Sequence, residues 1–277
     1  MFEKIIANVR QQQPLIHCIT NYVTVGDVAN ILLACGGSPI MADAIEEVEE
    51  ITAICAGLDV NIGTLNARTI QSMEKAAQRA HTLDHVTVLD PVGAGASRLR
   101  TDTAKKLLET SCFQVIRGNM SEIRALAGSA QTTRGVDASL ADAVTEENLD
   151  GAIAFIQDFQ ASSQAVIVIT GAIDLVAGPT GTYVIRNGHP MMSQITGTGC
   201  MLTAVIAAYC AANPDRHTEA AAAAVSAMGL CGERAHEKTL QAHAGTGSFR
   251  TYLIDAMSQM DDNTLAEGGK IAFYKKS

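Results

Sequence analysis

Short apolar runs alternate with longer amphipathic runs along most of the chain. The apolar runs predict strands at residues 15–19, 38–41, 58–62, 86–90, 113–117 and 165–169, and the runs between them predict helices at about 23–34, 67–81, 101–110 and 146–159. Strands that alternate with helices of this length are typical of βαβ units and of a sheet covered on both faces. The pattern therefore predicts an α/β fold with a mostly parallel central sheet.

The pattern changes after residue 170. Extended runs at 175–177 and 182–186 are followed by Asn187 and Gly188. Because Asn-Gly is a strong hairpin signal, we expect an antiparallel edge to complete the sheet. Residues 129–150 predict a long surface loop, and three helices are predicted at 200–212, 217–236 and 248–260. No linker or repeat is evident, so we interpret residues 1–277 as a single domain.

The composition and net charge of the chain restrict the classes of binding partner that it can have. Of 277 residues, 47% are hydrophobic and 18% are charged, which predicts a sizeable core rather than disorder. The formal net charge is -9 and no lysine or arginine run occurs, which disfavours nucleic acid and anionic membranes as partners. With no secretory signal pattern and no transmembrane run, we expect a cytoplasmic protein. The seven cysteines include no C-x-x-C pair, which argues against a disulfide framework or a zinc site.

The most informative stretch is Thr196-Gly197-Thr198-Gly199-Cys200, which directly precedes an apolar helical run. Glycine lets an anion approach the backbone closely, and the first turn of a helix offers unpaired N–H groups. The stretch therefore indicates a phosphate or oxyanion site. A tight turn into a core helix is the alternative, because G-x-G before a helix is a weak signal by itself.

Two strand ends carry further candidates. Asp90 is followed by the glycine-rich residues 91–96, which indicates either a magnesium ligand beside a phosphate loop or an Asp-Pro turn. Arg117 is placed to pair with phosphate. Asn119 and Glu122 fit a helix capping box, with a position near the metal as the alternative for Glu122.

These candidates are expected at one place. Asp90, Arg117, Thr170 and Gly197 would all open on the carboxyl edge of a parallel sheet, where ligands bind. A fixed cation, a carboxylate, a hydroxyl and a helix N-terminus together are typical of phosphoryl transfer. Neither a Walker-type G-x-x-x-x-G-K-[ST] motif nor a protein-kinase motif is present, so the phosphate site must be of another kind.

Several segments together resemble the hydroxyethylthiazole kinases of the ribokinase-like superfamily. They are residues 15–23, 38–41, 90–95, 117–122, 169–171, 196–200 and 245–249, in the family's order over nearly the whole chain. The resemblance implies a ribokinase-like three-layer sandwich. It also implies magnesium- and ATP-dependent phosphorylation of the hydroxyl of 5-(2-hydroxyethyl)-4-methylthiazole, a salvage step toward thiamine diphosphate.

The resemblance further implies roles for single residues and an assembly. ATP would contact Arg117 and Thr170. The thiazole would lie near Met41 and Gly197, with Asn21 as a further candidate. Asp90 and Glu122 would surround magnesium, and the backbone from Gly197 through Thr198 and Gly199 to Cys200 would stabilise the transferred phosphoryl group. Such enzymes form homotrimers with the thiazole pocket shared between subunits.

Cys200 departs from the wider superfamily, which usually has an aspartate there as the base. A thiol with an ordinary pKa of ~8.5 is mostly protonated at neutral pH, although a helix N-terminus lowers that pKa. Cys200 is therefore either a weak, partly ionised base or a neutral group that orients the hydroxyl, and we favour orientation. Its presence counts against the rival enzymes of this fold, a hydroxymethylpyrimidine kinase and an ATP-dependent lyase of hydrated nicotinamide nucleotides. A nucleotide-binding regulatory module is the rival that lacks catalysis.

Overall fold

The computed structural model describes residues 2–128 and 143–276. Its strands are β1 Leu15–Ile19, β2 Ser38–Ile40, β3 Gly57–Asn61, β4 Val86–Asp90, β5 Val115–Asn119, β6 Val166–Thr170, β7 Asp174–Gly178, β8 Gly181–Ile185 and β9 Ile271–Lys275. Its helices are α1 Ile5–Gln12, α2 Val25–Cys35, α3 Val48–Ile54, α4 Ala67–Thr82, α5 Arg98–Thr110, α6 Met120–Leu126, α7 Leu149–Ser163, α8 Thr198–Ala211, α9 His217–Gln241, α10 Thr246–Ser258 and α11 Asp262–Gly268. A short 3₁₀ helix spans Pro190–Gln194.

The described strands form one sheet in the order β2-β1-β3-β4-β5-β6-β7-β8-β9. Neighbours from β2 to β6 run parallel, and β6 to β9 pair antiparallel. The mostly parallel sheet and its antiparallel edge are therefore confirmed.

The predicted role of the Asn-Gly pair is wrong. The turn between β7 and β8 is residues 179–180, whereas Asn187 follows β8. Its amide accepts hydrogen bonds from Ser226 Oγ and Lys270 N, both at 2.8 Å, and donates to Glu233. These partners hold Asn187 in a buried polar site and not in a hairpin.

Alternating side chains on the strands build two cores, one on each face. Val166 and Val168 of β6 face the first core, whereas Ile167 and Ile169 face the second. Helices α1, α2 and α8 to α11 cover the first face, and α3 to α7 cover the second. This period of two is what a sheet buried on both sides requires. The result is the predicted three-layer sandwich.

Helix α8 is the innermost helix and carries the TGTGC stretch at its beginning. Residues 201–210 are all buried, and α8 packs on α2 and α9 as well as on β3 and β4. A helix that is apolar on all sides is stable only when it is enclosed. Its packing on β3 and β4 holds its first turn at the carboxyl edge of the sheet.

Three terminal elements were not predicted. Helix α1 buries Ile5, Ile6 and Val9 on one face, and α11 and β9 follow the last predicted helix. Each is short, so its periodic signal is weak. The predicted loop lies mostly outside the described residues, and α7 begins at Leu149 and not at 146. Among residues 2–128 and 143–276, no helix has the length and apolar character needed to cross a bilayer.

Candidate active site

Gly197 forms the bend that begins α8. Its φ is 88°, and a Cβ there would lie 2.6 Å from Cγ2 of the buried Thr24. Both the left-handed backbone and the close approach require glycine. No side chain of the described residues caps α8, so the N–H groups of its first turn can receive an anion. Gly197 follows the 3₁₀ segment and is not at a strand end as predicted.

Asp90 is fully buried at the end of β4. Its Oδ2 accepts hydrogen bonds from Asn61 Nδ2 at 2.8 Å and Thr203 Oγ1 at 3.0 Å, and Arg117 Nη1 lies 3.5 Å away. Its Oδ1 has no partner in the described part of the chain. Burial raises the pKa of Asp90 to about 6 against the lowering effect of Arg117, and the charge of Glu122 raises it further.

Arg117 connects two strand ends from within β5. The structure extends β5 to Asn119, so Arg117 is not the last residue of its strand as predicted. Its Nη2 donates to Thr170 Oγ1 at 2.6 Å, whereas Nε has no partner among the described residues. A Cβ on Gly199 would lie 2.5 Å from Arg117 Nη1. Glycine at 199 therefore lets the guanidinium lie directly against the first turn of α8.

Glu122 completes the capping box that the sequence predicts. Glu122 N donates to Asn119 Oδ1 and Asn119 N donates to Glu122 Oε2, both at 2.8 Å. Its Oε1 accepts from Gly93 N at 2.8 Å. Glu122 thus caps α6 and also fixes the loop that follows Asp90, which keeps a buried negative charge beside that carboxylate.

Cys200 follows Gly199 in the first turn of α8. Asn21 Nδ2 donates to Cys200 Sγ at 3.2 Å and to Asn61 Oδ1 at 3.1 Å. Burial, followed by the negative charge of Asp90, raises the pKa of the Cys200 thiol above its ordinary value, although hydrogen bonds from Thr24, Asn61 and Asn21 oppose the shift. The thiol is therefore protonated at neutral pH, which supports orientation over a thiolate base.

Two cavities lie near these residues, and the first turn of α8 lines the larger one. This cavity, of about 510 Å³, is lined by Arg117, Thr170 and Asp174, and Thr198 and Gly199 also line it. Its lining also includes the apolar side chains of Leu202, Val225 and Met228, together with Asn187 and His189. The second cavity, of about 210 Å³, is lined among others by Thr20, Tyr22 and Met41. Asn21 lies between two of these residues in the chain, so the segment that bonds to Cys200 through Asn21 also lines the smaller cavity.

Comparison with known proteins identifies the family of the chain. The sequence model of the Hydroxyethylthiazole kinase family matches residues 6–263. The chain belongs to the hydroxyethylthiazole kinase family. The hydroxyethylthiazole kinase of Clostridium acetobutylicum is 54% identical to it over 274 residues, which span 99% of this chain and 100% of that protein.

Solved structures support the same fold. A hydroxyethylthiazole kinase protein from Pyrococcus horikoshii OT3 has a TM-score of 0.85 at 32% identity, over 99% of this chain and 98% of that one. A ribokinase-like superfamily protein from Enterococcus faecalis V583 has a TM-score of 0.59 at 13% identity, over 92% of this chain and 88% of its own. The second likeness concerns the fold alone. The ribokinase-like architecture and the family membership predicted from the sequence are confirmed.

The structure of this family member also brings in residues that the sequence did not single out. Asn61, Thr24 and Thr203 surround Cys200 and Asp90, and Asp174 lines the larger cavity. Burial raises the pKa of Asp174 to about 7, although the N–H of Gly171 bonds to it. Asn61 had a usable signal, because it is a polar residue at the end of an apolar strand. Thr203 had none, since a threonine within an apolar helix is ordinary.

Proposed function

We propose that the protein transfers the γ-phosphoryl group of ATP to the hydroxyl of 5-(2-hydroxyethyl)-4-methylthiazole, in the salvage of thiamine diphosphate. One observation carries the proposal. The uncapped first turn of α8 contributes Thr198 and Gly199 to the larger cavity, and its next residue, Cys200, bonds to Asn21 beside the smaller one. A donor and an acceptor bound in these cavities would meet at a helix N-terminus, where negative charge is stabilised.

The larger cavity is proposed to bind ATP. Its volume of about 510 Å³ lies in the usual range for a small-molecule site. Arg117 and Thr170, which line this cavity, would contact the phosphates. The apolar side chains of Leu202, Val225 and Met228 in the same lining would suit a purine base. Arg117 is held by Thr170 and Asp90, so it is oriented before the nucleotide arrives.

The smaller cavity is proposed to bind the thiazole alcohol. Its volume of about 210 Å³ suits a single small ring. Met41 supplies apolar surface, the hydroxyl of Thr20 has no hydrogen-bond partner among the described residues, and the Gly197 backbone would contact the ring from the α8 side. Asn21 and Cys200 would lie where the hydroxyl enters the phosphoryl site. A neutral thiol fits this place because it can orient an alcohol without a charge beside an apolar ring.

The residues present also fit a magnesium ion. Asp90 Oδ1 is buried without a partner in the described chain, and a hard oxygen donor of this kind suits Mg²⁺. The described residues contain no group of three or more His, Cys, Asp or Glu arranged for a metal, which agrees with an ion held chiefly by substrate phosphates. We propose that Asp90 would hold the ion and Glu122 would add negative charge nearby. When bound, the ion would neutralise phosphate charge.

We further propose that the protein is a homotrimer with the alcohol cavity next to the subunit boundary. Tyr22 and Val23, beside that cavity, are 77% and 57% exposed. Close approach of another subunit would cover these two exposed side chains, and sedimentation equilibrium measures the mass directly.

The test of function is phosphorus NMR of the protein with ATP, magnesium and the thiazole alcohol. A new phosphomonoester signal that requires the alcohol is the expected result. ATP that stays unconsumed contradicts the proposal and favours a nucleotide-binding regulatory module. Consumption only with a hydroxymethylpyrimidine or with hydrated nicotinamide nucleotides would instead favour one of the rival enzymes of this fold.

A further inference from the structure

Asn61 joins the alcohol side of the site to the phosphate side. It is the last residue of β3, and β3 lies between β1 and β4 in the sheet. Its Oδ1 accepts from Asn21 Nδ2 at 3.1 Å, in the segment that follows β1, and its Nδ2 donates to Asp90 Oδ2 at 2.8 Å, at the end of β4. The same hydrogen-bond chain reaches Cys200 through Asn21, and Asn61 also faces the Cys200 thiol directly. The buried side-chain amide of Asn61 thus bonds to both the alcohol side and the phosphate side.

Backbone groups fix the direction of this chain. Gly63 N donates to Asn61 Oδ1 at 2.9 Å, and Thr24 N donates to Asn21 Oδ1 at 3.1 Å. A backbone N–H can only donate, so neither amide can flip without placing two donors against each other. In Asn61 a flip would also place the amide oxygen against the Asp90 carboxylate. The N–H groups therefore point toward Cys200 at one end and toward Asp90 at the other.

We propose that Asn61 is a positioning residue that sets where Asn21 and Cys200 stand relative to Asp90, and so where the acceptor hydroxyl stands relative to the phosphoryl group. Asn61 itself contacts neither cavity. It acts through Asn21 and Asp90, which lie on separate elements and have no other common side-chain partner among the described hydrogen bonds. Displacement of reacting groups by about 1 Å can lower a rate by about a hundredfold. The inference rests on the proposed function and adds a residue to its geometry.

A merely structural role would give a different result from a positioning role. Loss of any buried amide leaves its partners unsatisfied and lowers stability. Asn213 is the matched control, because it is also buried and bonds to Ile5 O, Tyr209 O and Asn8 at the far end of α8. Asn213→Ala should therefore lower the melting temperature without a loss of kcat.

The experiment compares Asn61→Ala and Asn61→Asp with Asn213→Ala in steady-state kinetics, in calorimetric titration with ATP and magnesium, and in thermal melting. We expect both Asn61 variants to lower kcat by about 10- to 100-fold while the Kd for ATP stays close to that of the wild type. Asn61→Asp keeps the shape and the acceptor for Gly63 but loses the donor to Asp90. A wild-type kcat in Asn61→Asp would show that only volume matters and would overturn the inference.

A double-mutant cycle with Asn21→Ala tests the route of the effect. If Asn61 acts through Asn21, the double variant should lose much less activity than the product of the two single losses. Independent, multiplicative losses would contradict the proposed coupling, as would a weakened Kd for ATP that accounts for the whole change. A wild-type protein that forms no phosphomonoester would refute the proposed function, whereas active wild type with unaffected Asn61 variants would refute only this inference.

Discussion

The two sides of the α8 N-terminus are built differently. On the phosphate side, Asp90 is fully buried and the Arg117 side chain is 12% exposed, and both lie on strands and are held by several partners. On the alcohol side, Asn21 and Cys200 are neutral, the exposed Asp43 also lines the cavity, and Tyr22 and Met41 are 77% and 36% exposed. The residues of the first side are therefore more deeply buried than those that line the second.

This difference follows from what each side is proposed to do. Charge that develops on a phosphoryl group is best stabilised by groups that are already in place, and strands of a buried sheet supply such rigidity. The alcohol carries no charge, so a buried ion on that side would have to be desolvated without compensation. A neutral Cys200 with neutral Asn21 avoids that penalty.

The largest effect is expected when the fixed cation of the phosphate side is removed. Arg117→Ala should lower kcat/KM for ATP by about 30- to 150-fold, because a charge-assisted bond of about 2–3 kcal/mol is lost and Asp90 loses its counter-charge. Steady-state kinetics at varied ATP measures the effect. Arg186→Ala is the control, since its ion pair with Glu146 lies at the surface. An unchanged KM and kcat would remove Arg117 from the nucleotide site.

The next test adds a methyl group at position 199, between the phosphate side and the alcohol side. Gly199→Ala should reduce kcat by about 10- to 100-fold, because its Cβ would lie 2.5 Å from Arg117 Nη1 and displace the guanidinium. Gly151→Ala is the matched control in α7, where no described atom lies within 4 Å of the added Cβ. That control should keep full activity and gain about 1 kcal/mol of stability. Full activity in Gly199→Ala would contradict the proposed packing of Arg117.

A smaller effect is expected on the alcohol side. Cys200→Ala should lower kcat by about three- to tenfold and leave the Kd for ATP nearly unchanged, because a neutral group that orients the hydroxyl is lost. Kinetics with the thiazole alcohol and calorimetry with ATP separate the two quantities. Loss of nucleotide affinity would mean that Cys200 has a structural role.

Cys200→Asp sharpens this prediction. If activation of the hydroxyl limits turnover, a carboxylate base should raise kcat above the wild-type value. Unchanged or reduced turnover would show that the lack of a strong base at position 200 does not limit the reaction. Because burial raises the pKa of the wild-type thiol, its kcat should not follow a thiolate titration near neutral pH.

The smallest effect on catalysis is expected for substitution of Asp59, a carboxyl group near Asp90. It is fully buried, both oxygens lack partners among the described residues, and burial with the charge of Asp90 raises its pKa well above the ordinary value. The folded state therefore holds this proton more tightly than the unfolded state, so stability is lost as the pH rises above about 4. Asp59→Val should raise the free energy of unfolding by about 1–3 kcal/mol near neutral pH, with kcat unchanged.

Urea unfolding at several pH values measures this change. The gain of Asp59→Val should shrink as the pH falls toward about 4, where the carboxyl is protonated in both states. Asp59→Asn is the control that removes ionisation at nearly constant shape. A gain that is independent of pH would mean that Asp59 does not carry a raised pKa.

The sequence predicted most of the sheet because its strands are buried on both faces. Short, mainly apolar runs such as 86–90 and 165–169 have few other ways to fold, and the structure places β4 and β6 within one residue of them. Short elements at the two ends of the chain were missed, since eight residues or fewer carry little periodicity. The Asn-Gly signal failed because buried side-chain partners of Asn187 outweighed its turn preference.

By itself, the sequence determined the fold class, the family and a set of candidate residues, because buried periodicity and the ordered motifs are properties of the chain. The tertiary structure determined which of the candidate residues lie in contact with one another. It set Arg117 against Gly199, placed Cys200 beside Asn21 in a setting that raises the pKa of the thiol, and added Asn61 between Asn21 and Asp90. Those distances depend on the order of strands in the sheet and on the burial of α8, and neither can be read from local sequence.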